Sequence, residues 1–243
     1  MRSQVEIVGV NIDNTTIDEA SKKLEDFLGE EDLSMVFTPN SEILVDAVKD
    51  PYFTQVLNSG NLVIPDGIGV VIASKFYGIP IKERVTGYDL MCKLIEIAHN
   101  KDKSIYFIGG KEGVAEEAAL NIIQKYEDIK ILGWHNGYFD EEEEEIIINN
   151  IIELKPDIIF VALGAPRQEK WIYENRHKLP AKIAMGVGGS IDVLAGRVKR
   201  APAFYQKSGL EWFYRLIKEP RRFLRILKLP KFILLSLYDA KIK

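Results

Sequence analysis

The chain has 243 residues and an ordinary globular composition, 47% of it hydrophobic, which argues against disorder. Its formal net charge is −4, and no nucleic-acid partner is expected. A lone Cys92 excludes a disulfide framework. The N-terminus lacks the layout of a signal peptide, and no apolar run reaches the roughly 20 residues that span a bilayer. These features predict a cytoplasmic protein that at most rests on a membrane surface.

Short runs of β-branched residues alternate with amphipathic stretches along most of the chain. This alternation is typical of βαβ units and predicts an α/β, Rossmann-like fold, with a mostly parallel sheet flanked by helices. The predicted strands are Val5–Val10, Ser34–Phe37, Leu62–Ile64, Ile105–Ile108, Ile129–Leu132, Ile158–Ala162 and Ile183–Val187. The predicted helices between them are Ile17–Leu28, Ser41–Leu57, Gly69–Tyr77, Tyr88–His99, Gly113–Tyr126, Glu141–Leu154 and Gln168–His177.

The last forty residues differ in charge from the rest. From Tyr205 to Lys243 there are ten Lys or Arg and three acids, so this tail has a net charge of +7. Pro220 and Pro230 suit the first turns of new helices, which predicts three short helices at 208–218, 220–229 and 231–241. We therefore divide the chain into an α/β body, residues 1–200, and a basic amphipathic helical appendage, residues 201–243. Such a segment suits a polyanion or an anionic membrane surface; a docked helical hairpin with its basic side chains in water is the alternative.

Ligands of open α/β sheets bind beyond the carboxyl ends of the strands. Glycine-rich loops that enter helices present backbone N–H groups to phosphate, so the sequence predicts a nucleotide diphosphate at this edge. Each loop also has a purely structural interpretation, because Asn40, Ser41 and Asp66 suit helix caps and paired glycines suit tight turns. Five polar or glycine-rich clusters follow predicted strands: Thr38-Pro39-Asn40-Ser41, Pro65-Asp66-Gly67, Gly109-Gly110-Lys111-Glu112-Gly113, Gly164-Ala165-Pro166-Arg167-Gln168 and Gly188-Gly189-Ser190.

Several other chemistries lack their motifs. The three histidines have no metal-ligand spacing, and the chain has neither a P-loop nor a nucleophile elbow. No two Asp residues stand two apart, so the Asp-x-Asp metal clamp of many sugar-nucleotide enzymes is missing. We therefore expect no cofactor and no metal. Guanidinium groups bind phosphate bidentately, and Arg215, Arg222 and Arg225 are the candidates to neutralise a diphosphate instead.

Taken together, the motifs resemble the WecG/TagA/CpsF glycosyltransferases over nearly the whole chain and in the expected order. The segments that support this resemblance are Thr38-Pro39-Asn40-Ser41-Glu42, Ile64-Pro65-Asp66-Gly67, Arg84-Val85-Thr86-Gly87-Tyr88-Asp89-Leu90, Leu163-Gly164-Ala165-Pro166-Arg167-Gln168-Glu169-Lys170-Trp171, Gly186-Val187-Gly188-Gly189-Ser190-Ile191-Asp192, Lys199-Arg200-Ala201-Pro202, Gly209-Leu210-Glu211-Trp212 and Glu219-Pro220-Arg221-Arg222.

The resemblance implies a reaction. N-acetylmannosamine would move from a UDP donor to N-acetylglucosamine on undecaprenyl diphosphate, in the synthesis of wall teichoic acid or another surface polysaccharide. The new linkage would be β, so an α-linked donor is inverted, which requires a base for the acceptor hydroxyl and stabilisation of the departing diphosphate.

The resemblance also assigns residues. Asp66 is the candidate base with Thr38 beside it, and Arg215, Arg222 and Arg225 would close over the diphosphate. Asn40, Arg84 and Gln168 match motif positions that would hold the sugar or the nucleotide. The other residues expected to bind substrate are Gly109, Gly110, Gly164, Gly188, Gly189 and Asp192.

A lipid-linked acceptor implies a peripheral position on the inner face of the cell membrane. We expect the appendage to dock there and complete the active site, and removal of residues 201–243 to leave a folded but nearly inactive body. Two alternatives remain open: a related transferase that uses UDP-N-acetylmannosaminuronic acid or UDP-glucose, and a non-catalytic membrane protein that binds a nucleotide or a lipid diphosphate. Exposed apolar residues of the tail also leave a homo-oligomer open when no membrane is present.

Overall fold

A computed structural model describes residues 3–218 and 227–242 of the chain. Its centre is a six-stranded parallel sheet with the strand order β4-β3-β8-β7-β5-β6. The predicted parallel sheet flanked by helices is therefore confirmed. The strands are β3 (Ser34–Phe37), β4 (Leu62–Val63), β5 (Ser104–Gly109), β6 (Lys130–His135), β7 (Ile158–Ala162) and β8 (Ile183–Gly186).

The prediction of a single strand at Val5–Val10 is wrong. This part of the chain is a hairpin of two antiparallel strands, β1 (Gln4–Ile7) and β2 (Val10–Asp13), outside the main sheet. Val8 and Gly9 form the turn, both with positive φ, at 45° and 85°. Two-residue hairpin turns of this hand match strand twist. A β-branched residue rarely adopts positive φ, so the apolar run concealed the turn.

The helices largely follow the prediction. One difference is the predicted helix Ser41–Leu57, which is two helices because Pro51 starts a new one and the Asp50 side chain caps it by accepting from the N–H of Phe53. The observed helices are α1 (Ile17–Phe27), α2 (Ser41–Ala47), α3 (Pro51–Asn58), α4 (Ile68–Ser74, followed by a 3₁₀ turn at Lys75–Tyr77), α5 (Gly87–Asn100), α6 (Val114–Lys125), α7 (Glu141–Leu154), α8 (Arg167–Asn175), α9 (Ser190–Leu194), α10 (Ala203–Lys207), α11 (Glu211–Lys218) and α12 (Lys228–Ile242).

Both faces of the sheet are covered. Alternate residues of the central strands contribute to two separate buried apolar layers: Tyr106 and Ile108 lie in one, and Ile105 and Phe107 in the other. Phe107 stacks on Phe160 of β7 with ring centroids 5.3 Å apart. This two-sided burial explains why the strands are continuous apolar runs, as expected of a parallel sheet. It also leaves the strand ends as the place where polar side chains gather.

The C-terminal helix is part of the packed structure. Helix α12 packs against α2 and α4, and its Phe232 is fully buried in the apolar layer on that side. Lys228 bonds to Asp46 at 2.7 Å, and Asp239 accepts from the Tyr77 hydroxyl at 2.8 Å. Most of the predicted helix 220–229 lies outside the described residues. The boundary at residue 200 stays a prediction, but removal of residues 201–243 would uncover the layer that Phe232 fills.

Replacing Phe232 with alanine should therefore destabilise the fold. The expected loss is about 3–5 kcal/mol in the free energy of unfolding, because a buried ring leaves a cavity when it is removed. Leu234→Ala is the matched control on the same helix, since Leu234 is 68% exposed, and its effect should stay within about 0.5 kcal/mol. Urea unfolding measures both variants; equal effects would contradict the burial of Phe232.

Candidate active site

A cavity of about 400 Å³ opens at the carboxyl edge of the sheet, beyond β3, β4, β7 and β8. Four of the five predicted clusters meet there, joined by α11 of the C-terminal segment. The predicted site residues that line this cavity are Thr38, Asn40, Asp66, Arg84, Gly164, Gln168, Gly188, Gly189 and Arg215. Arg222 and Arg225 lie outside the described residues.

Gly109, Gly110 and Asp192 do not line the cavity. Gly109 and Gly110 lie where three segments of the chain pass close to one another. The N–H of Gly110 donates to the Ala162 carbonyl at 3.1 Å, and the N–H of Gly137 donates to the Gly110 carbonyl at 2.8 Å. A Cβ on Gly109 would lie 2.3 Å from the Ala162 carbonyl oxygen. Packing thus explains these two glycines without a phosphate. The carbonyl of Asp192 accepts the N–H groups of residues 197 and 198, in the turn that ends α9.

The two candidate helix caps behave differently. Asn40 does cap α2: its Oδ1 accepts from the N–H groups of Glu42 and Ile43 at 2.9 and 3.1 Å. Asn40 also lines the cavity, and Nδ2 is the polar atom of its side chain that the cap does not use. Asp66 does not cap α4, which begins after Gly67 without a side-chain hydrogen bond. The structural interpretation therefore holds for the Asn40 oxygen and fails for the Asp66 carboxylate.

Asp66 lies partly buried among charged groups. Loss of water around it raises its pKa to about 6, against the opposing effects of Arg215, Arg84 and a hydrogen bond from the Gly87 backbone, while Glu211 adds to the rise. Thr38 lines the same cavity: its hydroxyl donates to the Gly186 carbonyl at 3.3 Å, and its side chain packs against Gly87. A carboxylate with a pKa close to neutral can accept a proton at working pH, as a general base must.

Gln168 joins two loops of the cavity. Its Oε1 accepts from the N–H groups of Gly164 at 3.2 Å and Gly188 at 3.1 Å, and its Nε2 donates to Glu169 at 2.8 Å. Gln168 is 3% exposed and Glu169 is 1% exposed. The amide therefore fixes the loops after β7 and β8 relative to each other. Glu169 stands in a motif that supports the resemblance, but the sequence gives no sign of its contact with Gln168, since adjacent residues on a helix normally point to different sides.

Glu169 should give the stability of the fold a measurable pH dependence. Burial raises its pKa from 4.5 to about 7, against the hydrogen bond from Gln168. The folded form thus keeps a proton that the unfolded chain releases, so its stabilisation is complete below pH 4.5 and is lost as pH rises through 7. At about 1.4 kcal/mol per pKa unit, this amounts to about 3 kcal/mol. Glu169→Gln should remove this loss, which urea unfolding at pH 5 and pH 8 would show.

The matched control is Glu153→Gln, an exposed position on α7. Its unfolding free energy should change with pH as that of the wild type does. If Glu169→Gln also kept the wild-type pH dependence, the neutral, buried state of Glu169 would be contradicted.

An ion-pair network connects the body to α11. Arg84 donates to Glu211 at 2.9 Å, and Arg200 forms two bonds of 2.7 Å with Asp89. Neither Glu211 nor Arg200 has a role predicted from the sequence, although both stand in motifs that support the resemblance. Glu211, Trp212 and Arg215 all line the cavity from the first turns of α11. The C-terminal segment thus supplies part of the cavity wall.

The cavity at the carboxyl edge of this parallel α/β sheet holds the Asp66 carboxylate and three arginines, a charge pattern that suits an enzyme with an anionic substrate. The family model described as "Glycosyl transferase WecG/TagA/CpsF family" matches residues 5–243. The chain belongs to this family of glycosyltransferases, which confirms the resemblance seen in the motifs.

Named relatives are similar over most of their length. The N-acetylglucosaminyldiphosphoundecaprenol N-acetyl-beta-D-mannosaminyltransferase of Bacillus subtilis (strain 168) is 40% identical over 210 residues, 86% of this chain and 81% of that protein. The transferase of the same name from Staphylococcus aureus (strain MRSA252) is 34% identical over 233 residues, 95% of this chain and 91% of that protein.

Proposed function

We propose that this glycosyltransferase moves N-acetylmannosamine from its UDP donor to N-acetylglucosamine on undecaprenyl diphosphate, with inversion at the transferred sugar. The names of the relatives support the acceptor and the sugar. The observation that supports the chemistry is Asp66, a partly buried carboxyl that lines the cavity, has a pKa of about 6 and interacts electrostatically with Arg215 and Arg84. In this proposal Asp66 takes the proton of the acceptor hydroxyl while the oxygen attacks the sugar.

The departing diphosphate needs positive charge at the cavity. Arg215 lines it, and Arg222 and Arg225 stay predicted partners outside the described residues. Preorganised cations of this kind stabilise charge that develops in the transition state. The Nδ2 group of Asn40 and the loops joined by Gln168 are proposed to orient the donor. We propose that no metal ion takes part. Among residues 3–218 and 227–242, no cluster of three or more His, Cys, Asp or Glu converges.

The charge balance of the cavity favours a neutral sugar over a uronate. Of the described residues that line it, the cations are Arg84, Arg200 and Arg215. The first two are already paired with Glu211 and Asp89. A uronate donor adds one more negative charge to be neutralised, and among the described residues that line the cavity Arg215 is the one cation left for it beside the diphosphate.

We propose that the chain works at an anionic membrane surface, on the inner face, where a lipid-linked acceptor would lie. In the described part of the chain no helix is long and apolar enough to cross a bilayer. Several apolar side chains of the last two helices are nevertheless open to solvent: Phe213, Ile217, Leu234, Tyr238 and Ile242. Together with the basic tail they suit a shallow interfacial contact, where each Lys or Arg contributes about 1 kcal/mol.

The test is UDP release by the full chain with a panel of donors. UDP-N-acetylmannosamine, its uronate and UDP-glucose are each supplied with lipid-diphosphate-N-acetylglucosamine in anionic or zwitterionic vesicles, and without acceptor. We expect acceptor-dependent release from UDP-N-acetylmannosamine, fastest on anionic vesicles. Faster release from another donor would overturn the assignment of the sugar. UDP binding without release from any donor would favour the non-catalytic alternative, and equal rates on both vesicles would overturn the membrane proposal.

A further inference from the structure

Glu211, the first residue of α11, lies between two arginines of the body. Its Oε2 accepts from Arg84 Nη1 at 2.9 Å, and its Oε1 lies 3.6 Å from Arg200 Nε. The side chains of Arg84 and Glu211 are each only 18% exposed. An ion pair shielded from water in this way holds its geometry better than a surface pair, because less solvent screens it.

Arg84 also holds the segment that leads into α11. Its Nη2 donates to the Gln206 carbonyl at 2.8 Å, so one guanidinium binds both sides of the turn at Gly209. Gly209 has a φ of 71°, and a Cβ there would lie 3.1 Å from Ile68. The turn is therefore fixed against the start of α4, two residues beyond Asp66.

The second arginine is itself held in place. Arg200 bonds to both carboxylate oxygens of Asp89 at 2.7 Å, and Asp89 accepts from the Thr86 hydroxyl at 2.6 Å. Two acids and two arginines thus form a balanced cluster between α5 and α11. The planar guanidinium of Arg200 matches the carboxylate of Asp89 with two parallel hydrogen bonds. This pairing fixes the orientation of the Arg200 side chain as well as neutralising its charge.

We infer that Glu211 is a positioning residue of the glycosyl transfer: it anchors α11 to Arg84 and Arg200, so that Arg215, one helical turn later, is held over the cavity beside Asp66. Residues four apart share a helix face, so fixing Glu211 fixes the direction of Arg215. The inference rests on the proposed function, and it gives Arg84 a second task beside the substrate binding that the resemblance implies.

A double-mutant cycle on the full chain tests the inference. Glu211→Gln keeps the size of the side chain and removes its charge; Arg215→Met removes the cation that Glu211 positions. We expect Glu211→Gln to lower kcat by about 10- to 100-fold, as misplacement of a catalytic group does. The double variant should be no slower than Arg215→Met by more than about twofold, because a residue that acts through another adds nothing once its partner is gone.

The matched control is Glu117→Gln, which loses a glutamate–arginine pair, with Arg197, outside the cavity. Its kcat should equal that of the wild type, and thermal unfolding of all variants separates misfolding from misplacement. Two results would overturn the inference: wild-type kcat in Glu211→Gln, or losses that multiply in the double variant.

The same cycle is measured for the affinity of UDP alone. We expect Glu211→Gln to weaken UDP binding in the wild-type background and not in Arg215→Met. This readout does not depend on the sugar or on the acceptor. If the wild type binds UDP but transfers nothing, the proposed function fails, while coupled UDP affinities still support Glu211 as the anchor of α11 and additive ones refute it.

Discussion

Replacing Asp66 with asparagine is expected to lower acceptor-dependent turnover by about 10²- to 10⁴-fold, the usual contribution of a general base. Asparagine keeps the shape of the side chain but cannot take the proton of the acceptor hydroxyl. UDP affinity should change little, because the proposed task of Asp66 concerns the acceptor. Turnover is measured as UDP release with acceptor, and binding by calorimetry.

The pH dependence of wild-type kcat/KM should also show the ionisation of the Asp66 carboxyl. With the pKa of Asp66 raised to about 6, the group is protonated and inactive below that pH, so kcat/KM should rise as pH increases through 6. Asp66→Asn should lose this rise. The exposed Asp102→Asn serves as the control and should keep both the rate and the profile. An Asp66→Asn variant within threefold of the wild type would remove the proposed base.

Replacing Arg215 with methionine is expected to have the second largest effect. Loss of one preorganised charge-stabilising group costs about 10²- to 10³-fold in kcat. The pH profile should move as well: Arg215 lowers the pKa of Asp66, so its removal should raise that pKa above 6 and shift the acidic limb of kcat/KM to higher pH. Both changes are read from one set of pH-dependent rates.

Lys218→Met is the matched control for Arg215→Met. It removes a cation from the same helix, three residues further on, at an exposed position. Assayed with a short-chain, water-soluble acceptor, so that the proposed membrane contact plays no part, Lys218→Met should keep both the wild-type rate and the wild-type acidic limb. If Arg215→Met lowered kcat without moving the limb, the electrostatic contact between Arg215 and Asp66 would be contradicted, although a role at the diphosphate would survive.

Patterns local in sequence predicted the frame of this site. Short apolar runs between amphipathic stretches identified every strand of the parallel sheet. The rule that ligands bind at the carboxyl edge of such a sheet then pointed to the loops at Thr38, Asp66, Gln168 and Gly188. The same rule also pointed to the loop at Gly109, which follows a strand but does not line the cavity, because the segment at Gly137 packs against it. A glycine-rich turn has the same sequence whether its N–H groups face a ligand or a neighbouring segment.

Long-range pairing was beyond sequence patterns. Arg84 and Glu211 stand 127 positions apart, and in the sequence alone neither differs from a charged residue on the surface. Phe232 was assigned to an appendage because its neighbours are basic, yet it fills the core under α2 and α4. Basic residues around an apolar helix are compatible with both a membrane contact and a docked helix, and only the packed structure separates buried Phe232 from exposed Leu234.

The most direct test of the account is the stereochemistry of the product. The full chain is incubated with α-linked UDP-N-acetylmannosamine and a lipid-diphosphate-N-acetylglucosamine acceptor, and the anomeric configuration of the new disaccharide is determined by NMR. A single displacement with Asp66 as the base predicts a β linkage. An α linkage would contradict it, because retention requires a different mechanism from the one these residues support.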